Sequence, residues 1–226
     1  MSIDIFHLFF IFCKNRVTLP RSITANMNIA DFIDNIAHIE PADERSVNLY
    51  RGNDILSTLR RQNLEKYLYE MSKTNPEILL IGEAPGIHGC YKTGIAFTDE
   101  YTISTNEFFA NKGYCIMQEK ASPEKEQSAT TIWEIIGSSD RKPLLWNIYP
   151  FYPYDKGQVN RTPSKAEIEL GYLILQNLLT AFNIKIIYGL GRAASNRLNV
   201  DYIRHPSHGG KTACQERLRK ILGIIE

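Results

Sequence analysis

The chain has 226 residues, 43% of them hydrophobic and 23% charged, which excludes wholesale disorder and provides for one sizeable α/β core rather than two. The formal net charge of +1 marks no nucleic-acid binder as a whole, yet from Lys185 onward eight basic residues oppose three acidic ones. Such a local basic face suits phosphate contact, and it reads equally as a solvated helix face.

Residues 1–28 have mixed character and are expected to form a tail outside the core, either flexible or added by an upstream start codon. The apolar run at 3–12 is shorter than a membrane span, no basic residue precedes it and no small-residue cleavage site follows it. Residues 29–226 are expected to form a single domain. Apolar residues recur at helical spacing over 29–39 and 56–71, and Thr74-Asn75-Pro76 ends the second of these helices. Residues 77–81 are a short continuous apolar run ending at Gly82, as a fully buried parallel strand reads. Three more such runs occur at 143–148, 184–190 and 200–203. Helical stretches are expected at 129–136, 164–181, 192–198 and 214–222, with Ser164 and Glu167 spaced as a capping box. Strands alternating with helices predict an α/β fold, a four-stranded parallel sheet covered on both faces in a three-layer α/β/α arrangement. Ligands bind such sheets at the carboxyl ends of the strands, where every unusual turn of this sequence falls.

The first strand runs into Gly82-Glu83-Ala84-Pro85-Gly86, a tight loop whose backbone can approach a ligand, or a plain structural strand exit. Residues 89–98 are rich in glycine and include Phe97, a residue type that is usually core. The second strand carries Asn147 inside an apolar run. A buried amide must be satisfied, so Asn147 either braces a neighbouring loop or reads a polar ring edge. The third strand ends in Gly-Leu-Gly-Arg-Ala-Ala at 189–194. This matches a dinucleotide fingerprint, but on the wrong strand and without room for the acidic partner, so close strand–helix packing with Arg192 exposed at a helix start is the better reading. The fourth strand ends in Arg204-His205-Pro206-Ser207-His208-Gly209-Gly210. The four cysteines, Cys13, Cys90, Cys115 and Cys214, form no C-x-x-C pair. They read as reduced thiols of a cytoplasmic protein, with no disulfide framework, no metal and no cofactor.

Taken in order, these turns resemble the uracil-DNA glycosylase superfamily, and the wording of residues 82–86 resembles its iron–sulfur (family 4) branch. The likeness runs from about Asn48 to Glu226. It implies hydrolysis of the N-glycosidic bond of uracil, or a related deaminated base, in single-stranded or duplex DNA by a monomeric repair enzyme. A base taken out of the stack is held in a pocket. The resemblance implies that Phe97 stacks on it, Asn147 bonds its Watson–Crick edge, and Gly82, Ala84 and Pro85 shape the floor. His205 would donate to the charge developing on the departing base. Arg192, Ser207, His208, Gly209 and Lys211 would meet the DNA.

The sequence departs from the family pattern at four points. The cysteines are scattered, so no cluster is expected. Ala84 replaces the acid that orients water in the best-known members, leaving Glu83 as the catalytic candidate and Asp99 as fallback. Gly86 replaces the thymine-excluding tyrosine, a wall that Tyr91 could supply instead. The His208-Gly209-Gly210 loop lacks a large apolar wedge, which predicts better activity on single strands than on intact duplex. Two other readings stand beside the enzyme: a non-catalytic nucleic-acid-binding protein of the same fold, and a nucleotide-binding domain using residues 189–194.

Overall fold

The computed structural model describes residues 28–117 and 121–224, so the expected tail lies, Asn28 apart, outside the described residues. In chain order the elements are α1 (Ile29–His38), β1 (Ser46–Val47), α2 (Ile55–Thr74), β2 (Ile78–Gly82), α3 (Cys90–Thr93), α4 (Glu100–Thr105), α5 (Gln127–Ile136), β3 (Leu144–Asn147), β4 (Tyr152–Asp155), β5 (Val159–Asn160), α6 (Lys165–Thr180), β6 (Ile186–Leu190), α7 (Arg192–Leu198), β7 (Asp201–Ile203) and α8 (Lys211–Leu222).

The four apolar runs become one parallel sheet in the order β3-β2-β6-β7 within a three-layer α/β/α fold. Every residue of β2 and β3 is buried, as strands covered on both faces must be. Strand β3 is an edge, and an edge leaves backbone donors unpaired. Here the Leu145 N–H donates to the Tyr67 hydroxyl at 2.8 Å, which ties α2 to that edge. Helix α1 starts where the Asn28 side chain accepts from the Ala30 N–H, and it buries Phe32, Ile33, Ile36 and Ala37 along one stripe. Helix α2 stops at Asn75, whose left-handed backbone (φ 47°) precedes Pro76. Helix α6 opens with both halves of the Ser164–Glu167 capping box. Among the described residues no helix is long and apolar enough to cross a membrane.

A second, antiparallel sheet of order β1-β4-β5 was not expected from the sequence. Strands β1 and β5 have two residues each, too few to show alternation, and β4 contains Pro153, a residue that argues against a strand. The short helices α3 and α4 likewise fall below the length at which helical periodicity reads.

Registers fix the upper rim of the main sheet. Gly82 pairs with Asn147, Ile81 with Gly189 and Leu190 with Ile203, so the chemistry-bearing turns leave the sheet side by side. A Cβ at Gly189 would stand 2.6 Å from the Ser195 backbone on α7. The glycine-rich turn at 189–194 is therefore a close strand–helix contact. Gly189→Ala should cost about 1–3 kcal/mol by overpacking, read as a lower urea midpoint at unchanged slope.

Candidate active site

The site is built around Gly82, the last residue of β2. A Cβ there would lie 2.7 Å from Asn147 Oδ1 and 3.1 Å from Phe97 Cε1, so these two side chains meet over the bare Cα. Asn147 is 3% exposed. Its Nδ2 donates to Cys90 Sγ at 3.8 Å, while Oδ1 has no hydrogen-bond partner among the described residues. Leaving a buried acceptor unsatisfied costs about 1–3 kcal/mol, so the oxygen calls for a partner, water or ligand.

Phe97 is half-buried and has a positive φ of 52°, uncommon for a bulky residue and typical of functional strain. Its neighbours hold it there. The Phe97 carbonyl accepts from Trp133 Nε1 at 3.1 Å, the Thr98 carbonyl from the Thr93 hydroxyl at 2.7 Å, and the Ala96 carbonyl from the Thr98 hydroxyl at 3.1 Å. The loop after β2 is equally fixed. The Gly82 and Glu83 carbonyls accept from the Ile148 and Tyr149 N–H groups at 2.8 and 3.0 Å, and the Pro85 carbonyl accepts from Asn160 Nδ2 at 2.7 Å.

His205 follows β7. Its Nδ1 accepts from the Ser207 N–H at 3.2 Å and lies 2.7 Å from the Ser207 hydroxyl. A ring that accepts at Nδ1 carries its proton on Nε2 when neutral. Burial first, then the charges of Arg204 and His208, lower the imidazole pKa and favour that neutral form. Gly191, at φ 93°, has its Cβ position 3.7 Å from His205 Cδ2, so the β6 turn runs close against the ring. Between these turns lies a cleft of about 420 Å³, bounded by residues 82–84, Phe97, residues 160–162, residues 190–193 and His205.

The family model of the uracil DNA glycosylase superfamily matches residues 69–222. The chain belongs to that superfamily. Comparison with curated proteins finds no match. Among solved structures, this superfamily member is similar in fold to wild-type SMUG2 of Pedobacter heparinus, at 16% identity and a TM-score of 0.60, over 88% of this chain and 98% of that one.

In this glycosylase-superfamily chain the cleft gathers Gly82, Glu83, Ala84, Phe97, Arg192 and His205. Asn147 lies buried beside Gly82, below the open cleft, and Pro85 sits on the loop just outside it. Ser207, His208 and Gly209 form the adjoining turn, with His208 and Gly209 both at positive φ (52° and 75°) and exposed. Lys211 stands apart. It pairs with Glu134 at 2.8 Å, a carboxylate that Gln215 also bonds, so it is engaged with α5 rather than free. Glu83 is not free either, because Arg197 Nε donates to its Oε1 at 2.9 Å. Asp99 fails as the fallback acid. It is fully buried, and its two oxygens accept from the Thr102 and Glu126 N–H groups, capping α4. Tyr91 builds no wall of the cleft. Its ring packs edge-on against Tyr152 at 4.8 Å and lies under the Arg60 guanidinium.

Several site residues escaped the sequence reading. Asn160, Arg161 and Thr162 reach the cleft from the β4–β5 hairpin, which gave no sequence signal. Arg161 makes a paired contact with the fully buried Glu167 at 2.7 and 2.8 Å. Burial alone would raise the Glu167 pKa, but bonds from Arg161, Ser46 and Ser164 outweigh it and hold the pKa below the usual value. Glu126 lies against Gly86 and Gly89 and accepts from the Ser128 hydroxyl; burial, then Asp99, push its pKa up. The described cysteines do not fit an iron–sulfur cluster. Cys90 and Cys214 are buried, Cys115 is exposed, and no group of three potential ligands occurs among the described residues.

The His205 shift has a signed consequence. Its folded-state pKa lies below the unfolded value, so as pH falls through about 6.5 the unfolded chain takes up the proton first and folding stability drops. Melting temperatures at about pH 7.5 and 5.5 should fall further for the wild type than for His205→Gln.

Proposed function

We propose that this protein is a DNA glycosylase that takes a deaminated base, uracil in the first place, out of the stack and hydrolyses its N-glycosidic bond. The observation that carries the reading is the buried, unpartnered Asn147 Oδ1 beside the Phe97 ring, next to a cleft that a neutral His205 borders. Unstacking a base costs a few kcal/mol, and stacking on an aromatic returns about 1–3 kcal/mol. Phe97 is the one phenyl ring bordering the cleft among the described residues. Uracil offers an N–H and an adjacent carbonyl to an amide, whereas cytosine offers a ring lone pair and an amino group. Bond cleavage leaves negative charge on the base, and we assign the His205 Nε2–H, at the border of the cleft, as the donor that meets it.

Ala84 has no side chain that can act as a base. Glu83 borders the cleft, and Arg197 Nε holds its Oε1. We assign it the positioning of water in a largely dissociative cleavage that needs little base catalysis. On this reading Arg192, which borders the cleft, and Ser207, His208 and Gly209 of the adjoining turn meet the DNA. Lys211 can join them by giving up its surface pair with Glu134, which is worth no more than about 1 kcal/mol. The nucleotide-binding alternative loses support because the glycine at 189 serves helix packing. The non-catalytic alternative is separated from the enzyme only by activity.

Incubation with uracil-containing single- and double-stranded oligonucleotides, followed by alkaline cleavage of abasic sites, tests the reading. Strand breaks should appear, faster on single strands, because the exposed turn at His208 and Gly209 has no apolar wedge. His205→Ala should lower the single-turnover rate about 100- to 1000-fold, Asn147→Ala should abolish the signal, and Glu83→Gln should slow it modestly. No breaks with uracil, hypoxanthine or mismatched thymine would leave the protein a binding module, and an unchanged rate in Glu83→Gln would remove that residue from the chemistry.

A further inference from the structure

An amide side chain presents opposite hydrogen-bonding faces depending on which way round it is held. With oxygen toward the base it accepts from a ring N–H; rotated by half a turn it donates to a ring lone pair. Something must therefore fix the rotation of Asn147 if the site is to prefer one class of base. The described contacts of the amide offer one anchor. Cys90, the first residue of α3 and 3% exposed, takes the Nδ2 hydrogen on its sulfur at 3.8 Å. This leaves Oδ1 unpartnered on the side where a Cβ of Gly82 would meet it and the Phe97 ring. Burial, then the nearby Glu126, raise the Cys90 pKa to about 12, so the group stays a neutral thiol with sulfur lone pairs to offer.

We infer that Cys90 is the positioning residue that sets the rotation of Asn147 and thereby restricts the pocket to bases presenting a ring N–H beside a carbonyl. This rests on reading Asn147 as the base contact. The second Nδ2 hydrogen then faces the base carbonyl while Oδ1 takes the ring N–H. A base with a lone pair at that ring position meets Oδ1 head-on, two acceptors in a water-poor site.

The test uses the full chain and oligonucleotides carrying 2′-fluoro-2′-deoxyuridine or 2′-fluoro-2′-deoxycytidine, whose fluorine slows glycosidic cleavage, with affinities compared at one fixed salt concentration. The wild type should prefer the uracil analogue by about tenfold, the scale of one hydrogen bond gained against one buried acceptor opposed. Cys90→Ala should bring the ratio close to one at similar affinity for undamaged DNA. Cys90→Ser, whose hydroxyl oxygen can take the same hydrogen, should restore the preference, a rescue that a purely packing role would not give. Asn147→Ala should also lose the preference, and adding Cys90→Ala to it should change nothing further. Should Cys90→Ala fail to fold, Cys90→Val, which fills the volume without an acceptor, gives the same reading. A preference kept in Cys90→Ala or Cys90→Val but lost in Asn147→Ala overturns the role of Cys90 and leaves the base contact standing. A wild type without preference, or an Asn147→Ala variant that keeps it, overturns the base contact and this inference with it.

Discussion

The site depends on a side chain that is missing. Gly82 ends the central strand β2, pairs with Asn147 on β3, and leaves empty the volume in which Asn147 Oδ1 and the Phe97 ring approach each other. Any Cβ there would displace one of the two. The constraint spreads outward from that point. Because Gly82 and Glu83 continue to accept hydrogen bonds from Ile148 and Tyr149 beyond the strand ends, the loop at 82–86 keeps the register of the sheet and is not free to swing. Phe97 reaches over Gly82 from a backbone with positive φ, and Trp133, Thr93 and Thr98 hold it there. Strain at one residue is sustained by several ordinary bonds around it.

The polar groups divide by what already satisfies them. Glu167 and Asp99 are buried, Arg161 is half-buried, and all three are engaged with partners, so they fix geometry. The Asn147 oxygen and the His205 Nε2–H are different: the first is buried without a partner among the described residues, and the second is left as a donor by the bonds at Nδ1. One is an acceptor and the other a donor, which matches a base that gives up a hydrogen at one edge and gathers negative charge elsewhere. On the proposed reading, both groups are held in place before charge develops, so little reorganisation is needed during the reaction. A neutral imidazole also avoids placing a second cation next to Arg204.

Much of this was legible in the sequence because the signals were local. The four parallel strands announce themselves as apolar runs closed by glycine or proline, and Asn147 stands out as an amide inside one of them. The capping box at Ser164 and the break at Asn75 are chemical signatures a few residues long. What was not legible depends on separation. Arg197 lies 114 residues from Glu83 and Glu134 lies 77 from Lys211, so neither pairing has a local trace. The hairpin that brings Asn160 and Arg161 to the cleft is too short for alternation and is interrupted by Pro153. Asp99 is the exception, since an aspartate three residues before Thr102 is a capping pattern that local rules can find; reading it as a spare catalytic acid overlooked that.

Gly86 acquires a different meaning from its surroundings. Judged against the family pattern it marks a missing wall, an opening where a larger residue would exclude the thymine methyl. In the fold, a Cβ at Gly86 would stand 3.2 Å from Glu126 Oε1, and Glu126 also lies against Gly89. The glycine is thus matched to a half-buried carboxyl group on the far side of the loop, at the start of α5. A side chain at position 86 would press on Glu126. Glu126 is the N-cap residue of α5, so what position 86 can hold is limited by that helix as well as by the loop.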